Sequence, residues 1–220
     1  MKRVVPWCVL MLIVPLFAAD KQKDEDTFRK AKLVLEDMLN SKDIPAALLS
    51  KADCVLILPG VKKFGVGVAA SGGRGPMLCH SGEDFSGHWS APAMISLSGG
   101  SVGPQVGGTS SDFVLLLMNP KVAKQILNGA TKMGANATAA AGPGATAATP
   151  DADILVYGRA KGVFAGVSLG GATLAPDNNA NNRLYGNTYT ATYVARGTDV
   201  SPTEEGKALV TVLDSKIAKQ

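Results

Sequence analysis

Ser168 is the first residue to test for chemistry, because Gly166-Val167-Ser168-Leu169-Gly170 matches the G-x-S-x-G nucleophile elbow. That motif works when a strand–turn–helix presents the serine hydroxyl to a histidine base. Here Gly171-Ala172-Thr173-Leu174-Ala175-Pro176 follows, which does not read as a helix. No histidine follows Ser168, although that hydrolase fold places its histidine last. Gly65-Val66-Gly67-Val68-Ala69-Ala70 matches G-x-G-x-x-A. A dinucleotide site needs a helix to start at those glycines, so that its N-terminus faces the pyrophosphate. Ser71-Gly72-Gly73-Arg74-Gly75-Pro76 comes next and excludes one. Asp151, Asp153, Asp177 and Asn178 carry oxygens without EF-hand spacing. His80, His88, Cys54 and Cys79 lack zinc spacing. No set of nucleophile, base and orienting residue emerges. The expectation is a non-enzyme with no catalytic residue, no metal site and no cofactor.

What remains is charge. Residues 26–39 have helical periodicity, with Phe28, Ala31, Leu35, Met38 and Leu39 on one stripe and Arg29, Lys30 and Lys32 off it. Two readings fit this helix. It docks on a core with a solvated charged face, or it lies on an anionic membrane surface. Lys62 and Lys63 fall in one expected connection and Arg74 in another, as an anion-attracting patch or as solvated loop cations. The formal charge is +4, and Lys2 and Arg3 supply part of it, so the rest of the chain is nearly balanced. No nucleic-acid partner is expected from that balance.

The elements that must position these residues are mostly strands. Of 220 residues 25 are glycine and only 5% aromatic, which with many short apolar runs favours a β-rich fold with tight turns over a helix bundle. Cys54–Leu58, halted by Pro59-Gly60, then Phe64–Ala70 and Met77–His80 read as a three-strand meander, with a turn at Ser71–Gly75. Two or three strands are expected between His88 and Asn119. Val114–Met118 is a solid apolar run, read as a strand buried on both faces. Asn119 caps a helix that starts at Pro120 and ends at Gly129. A short helix covers Ala46–Leu49 behind Pro45. Ala135–Ala141, Ile154–Tyr157, Val163–Leu169 and Tyr189–Ala195 read as strands, with loops around Gly142-Pro143-Gly144 and over 176–182. A last helix begins with Ser201 as N-cap, Pro202 and Glu204, and buries Leu209, Val212, Leu213 and Ile217. The fold class is α+β. It is a single compact domain with a mainly antiparallel, barrel-like sheet and helices at the N-terminus, middle and C-terminus.

Residues 1–19 have the layout of a secretory signal peptide, with basic Lys2 and Arg3, an apolar run to Phe17, then Ala18-Ala19. Leu16 or Phe17 stands where cleavage usually finds a small residue, so an uncleaved anchor is the alternative. The domain is then 20–220. Export places it in the periplasm or associated with the envelope. In such a compartment Cys54 and Cys79 either pair or remain buried thiols.

Several unusual strings occur in one order: IPAALLSKADCVLILPGVKKFGVGV, GGRGPML, WSAPAMISLSGGSVGPQVGGTSSDFVLLLMN, ATAAAGP, ILVYGRAKGVFAGVSLGGATL and LYG. In these the chain resembles the SYLF-domain family, lipid-binding modules of bacteria and eukaryotes. The resemblance runs from about Leu33 to Ile217, and it makes 166–170 a family strand rather than a serine elbow. It implies a compact α+β domain that binds anionic phospholipid or phosphoinositide. In eukaryotic relatives an N-terminal amphipathic helix contributes to membrane binding, and some members bind actin. Gly170 stands where many relatives carry an acidic residue. Phe28, Arg29, Lys30 and Lys32 occupy the place of that helix. With Lys62, Lys63 and Arg74 they are the expected lipid-binding residues, and Phe28, Leu35 and Met38 would insert if the helix left the core. For an exported chain the expected partner is an anionic phospholipid or membrane surface rather than actin. The alternative is a structural or protein-interaction module with incidental lipid binding.

Overall fold

A computed structural model describes residues 16–80, 87–134, 138–140, 152–160, 163–164, 169, 171–186 and 189–217. The expected signal segment before Leu16, the loop at Gly142-Pro143-Gly144 and most of 165–170 lie outside the described residues. Among the described residues seven strands form one curled sheet, with six helices around it. The α+β expectation holds.

Helix α1 spans Leu16–Asn40 and α2 spans Ala46–Leu49. The meander expected over 54–80 is instead one strand, β1 (Cys54–Cys79). It pairs antiparallel with a second long strand, β2 (Ala93–Leu117), from Cys54↔Leu117 to Met77↔Ala93. Pro59-Gly60 does not stop β1, because the register shifts there into a bulge. Gly60 takes φ +61°, and its N–H donates to the Asp112 carboxylate at 2.7 Å. Ser71–Gly75 is strand rather than turn, and its glycines serve another need. The long ribbon doubles back, so that the second half of β1 lies against the first. A Cβ on Gly75 would sit 1.7 Å from the Ile57 carbonyl oxygen, which only glycine permits. The two ends of β1 are joined by the Cys54–Cys79 disulfide, and the His80 N–H donates to the Asp53 carbonyl at 2.9 Å.

Beyond the ribbon, α3 (Pro120–Asn128) leads to β3 (Thr131–Lys132). The Asn119 side chain accepts from the Lys121 N–H at 3.0 Å, as a cap. Strands β4 (Thr138–Ala140), β5 (Ile154–Ala160), β6 (Val163–Phe164) and β7 (Thr173–Pro176) complete the sheet in the order β3-β7-β2-β5-β4. Strand β1 lies on β2 and β6 on β5, and among the described residues only β4–β5 is parallel. Two expectations are corrected here. Residues 176–182 are not a loop, because Asp177 accepts from the Ala180 N–H and starts α4 (Asn178–Tyr185). Residues 189–195 are not a strand, because Thr190 caps α5 (Ala191–Arg196). The last helix, α6 (Glu204–Ile217), starts later than Ser201. Thr203 caps it, accepting from the Gly206 N–H at 3.3 Å.

Alternate residues of the ribbon feed two cores. Leu56, Leu58, Met77, Ile95, Leu115 and Val156 fill the interior of the curl, closed by Ile126 of α3 and Val194 of α5. Val55, Ile57, Val114, Leu116 and Tyr157 face outward under α1, α2 and α6. Both faces are covered, which is why Val114–Leu117 reads as an unbroken apolar run.

Candidate functional site

The buried stripe of α1 is Asp24, Phe28, Ala31, Leu35 and Met38, none more than 1% exposed. Phe28 packs with Met94, Ala180 and Leu184. Helix α1 is therefore a docked helix, and the side chains expected to insert into lipid are core residues. Docking also fixes where the cations go. Lys30 faces a cleft of about 390 Å³ between α1 and the doubled ribbon, with Lys62 and Arg74 on the same walls. The bulge at Gly60 and the bare backbone of Gly72-Gly73 form part of its wall. Residues remote in sequence thus meet because β1 folds over itself.

Arg74 is only partly free. Its Nη1 lies 2.6 Å from Oδ1 of Asp24, whose side chain is wholly buried, and 3.7 Å from Asp177. Arg183 of α4 grips the same carboxylate through Nε at 2.7 Å and Nη2 at 3.2 Å. The hydrogen bond to Asp24 raises the Arg183 pKa against the opposing effect of burial. Lys30 and Lys62, by contrast, have no carboxylate partner among the described residues. The cleft pairs two unneutralised ammonium groups with a tethered guanidinium. The Asp177 carboxylate also lines the cleft, but the cations outnumber it, and the excess positive charge suits an anion such as a phosphate group.

The other expected residues fall elsewhere. Arg29 is bound to Asp26 and Glu205, at 2.8 and 2.9 Å, and those bonds raise its pKa. Lys32 lies 3.9 Å from Glu36 on the exposed side of α1. Lys63 follows Lys62 on the strand, so its side chain takes the opposite face. Asp24 and Arg183 escaped the sequence reading, and Asp177 entered it only as an oxygen without metal spacing. Asp24 had a legible signal, since it lies four residues before Phe28 on the apolar stripe, and a carboxylate there requires a buried partner.

Other features carry less. His80 is buried, packs tilted against Trp89 at 3.7 Å between ring centroids, and its Nδ1–H donates to the Gly87 carbonyl at 2.7 Å. No group of three or more metal-ligating residues occurs among the described residues. A wider groove of about 770 Å³ runs beside α3 and presents Lys121, Lys124 and Lys132. No described helix is long and apolar enough to cross a membrane.

The model of one protein family, Ysc84, described as Las17-binding protein actin regulator, matches residues 98–216. The SH3 domain-containing YSC84-like protein 1 of Xenopus laevis is 30% identical over 201 residues, 85% of this chain and 59% of that protein. Its Homo sapiens namesake is 34% identical over 151 residues, 66% of this chain and 43% of that protein. The LAS seventeen-binding protein 3 of Saccharomyces cerevisiae is 29% identical over 182 residues, 79% of this chain and 39% of that protein. The chain thus spans about two fifths to three fifths of these relatives. With the family model covering more than half of the chain, this protein belongs to the Ysc84, or SYLF-domain, family.

Proposed function

We propose that this protein is a non-catalytic module that binds the anionic surface of a phospholipid membrane in the cell envelope. The observation that carries the reading is the cleft in which Lys30, Lys62 and Arg74 converge. Its volume of about 390 Å³ leaves room for a headgroup phosphate, and its cations come from α1 and from the two halves of the doubled β1. The layout of residues 1–19 and the Cys54–Cys79 disulfide support export to an oxidising compartment, where actin is not a partner. The test is co-sedimentation of the protein with liposomes of graded phosphatidylglycerol content. Binding rises with anionic lipid and weakens as salt shortens the Debye length. Lys30→Glu with Lys62→Glu removes most of it. Failure to bind at any composition refutes the reading.

A second reading is a protein-interaction module. Two observations favour it: the relatives named for Las17 binding, and the Lys121, Lys124 and Lys132 groove, whose lining holds no carboxylate. Envelope-protein capture that survives Lys30→Glu/Lys62→Glu and is lost on charge reversal at Lys121 and Lys124 supports it.

A further inference from the structure

Phe64 is the most exposed large apolar residue among those described, at 70% of its surface. It lies in the middle of β1, where an aromatic side chain would ordinarily be covered. It is uncovered because its cross-strand partner is Gly108, which has no side chain to shield it. The ring lies over that glycine, with Cδ2 at 3.4 Å from where a Cβ would stand. Strand alternation puts Phe64 on the same face as Lys62, two residues back, and Lys62 lines the cationic cleft. Lys63 projects from the intervening position. Leu33, also 58% exposed, lies three residues along α1 from Lys30 and so shares its helix face. Phe64 and Lys62 thus share one face of β1, at the edge of the cationic cleft.

We propose that Phe64 is the membrane-inserting residue of this protein, with Lys62 and Lys30 on lipid phosphates beside it while α1 stays docked. This rests on the membrane reading above and deepens it. An aromatic ring flanked by ammonium groups matches the interface of an anionic bilayer, where rings partition to headgroup depth and lysines remain among the phosphates. An acidic protein surface would satisfy the lysines but leave the ring needing a pocket. A bilayer needs none. No step of docking uses Phe28, Leu35 or Met38, which remain in the core.

The experiment measures affinity of the full chain for phosphatidylglycerol-containing vesicles at low and high salt, for the native protein, Phe64→Ser, Phe64→Trp and Lys62→Glu. Phe64→Ser lowers affinity about tenfold, as expected for removing a ring that buries in an apolar phase, and by the same factor at both salt concentrations. Lys62→Glu lowers it mainly at low salt. Phe64→Trp keeps or raises affinity, since tryptophan favours the interface. Thermal midpoints stay level across the Phe64 variants because the ring makes little of the fold. Native binding with an unaffected Phe64→Ser, or a Phe64→Trp as weak as Phe64→Ser, overturns the insertion while the charge-based membrane reading stands. No native binding to any vesicle overturns both.

Discussion

Replacing Asp24 by asparagine should destabilise the protein and tighten its hold on anionic lipid at the same time. Asp24 has no exposed surface and answers two guanidinium groups, Arg74 and Arg183. Asparagine keeps the shape but removes the charge, and it turns an amide donor toward a donor-only group. Removing one partner of a buried ion pair costs about 3–5 kcal/mol. Arg74 and Arg183 retain 32% and 24% of their side-chain exposure, so water screens part of the loss and the lower end, about 3 kcal/mol, applies. In a chain of this length 1 kcal/mol moves Tm by about 2–4 °C, so calorimetry should record a fall of about 6–12 °C. Arg74 is meanwhile released into the cleft. One further cation near a membrane is worth about 1 kcal/mol, or roughly fivefold in vesicle affinity at low salt. A midpoint within about 2 °C of the native protein would show that Asp24 is not the clamp between α1, β1 and α4. A vesicle affinity that falls while the protein stays folded would remove Arg74 from the binding surface.

The remaining predictions concern the core. Cys54→Ala with Cys79→Ala opens a link across a sequence separation of 25, which chain entropy values at about 3 kcal/mol, read as a lower urea midpoint, with m rising because the freed unfolded chain exposes more surface. Tyr157 is fully buried, its hydroxyl has no partner among the described residues, and burial pushes its pKa up to about 12. Tyr157→Phe should therefore be neutral or stabilising by up to about 1 kcal/mol, and a clear loss in urea unfolding would reveal a bond to that hydroxyl. Desolvation lowers the His80 pKa below its usual 6.5, against weaker support from the Gly87 carbonyl, Asp214 and Asp53. The unfolded chain then takes up a proton before the folded one. Stability is intact above pH 6.5 and lost as pH falls from there through the folded-state value, and His80→Asn should flatten that slope below pH 6.5.

Sequence pattern made the α3 cap and the doubly buried run at Val114–Leu117 readable, because each depends on neighbours close in sequence. It missed what distant contacts decide. Pro59-Gly60 resembles a strand terminator until Asp112, on the partner strand, supplies the acceptor that lets a bulge form. Gly73 and Gly75 resemble a turn until the first half of β1 arrives against them. The asparagine-rich 178–182 segment resembles a loop because asparagine is a weak helix former. Asn181 overrides that by donating to the Met94 carbonyl at 3.0 Å and accepting from its N–H at 2.7 Å. The site was half legible for the same reason. Lys30, Lys62 and Arg74 were visible as cations, but their meeting depends on the doubled ribbon.

That geometry decides how the domain would meet a bilayer. Inserting α1 would strip Phe28, Leu35 and Met38 from the core at about 2 kcal/mol each, which lipid could restore. It would also uncover Val55, Ile57, Leu116 and Tyr157 on the sheet beneath, which lipid contacting the departed helix cannot cover. Asp24 would leave two arginines behind and carry an unpaired carboxylate toward a negative surface. Arg29, held by Asp26 and Glu205, would have to break both bonds before serving as a lipid contact. Against these losses the cations of the helix offer about 1 kcal/mol apiece. Binding with α1 in place uncovers no core, keeps the Asp24 clamp, and engages Lys30, Lys62 and Phe64, which already face solvent or the open cleft. On the proposed membrane reading the docked state is therefore the one that binds, and locking α1 to the sheet with an engineered cross-link should leave vesicle affinity unchanged.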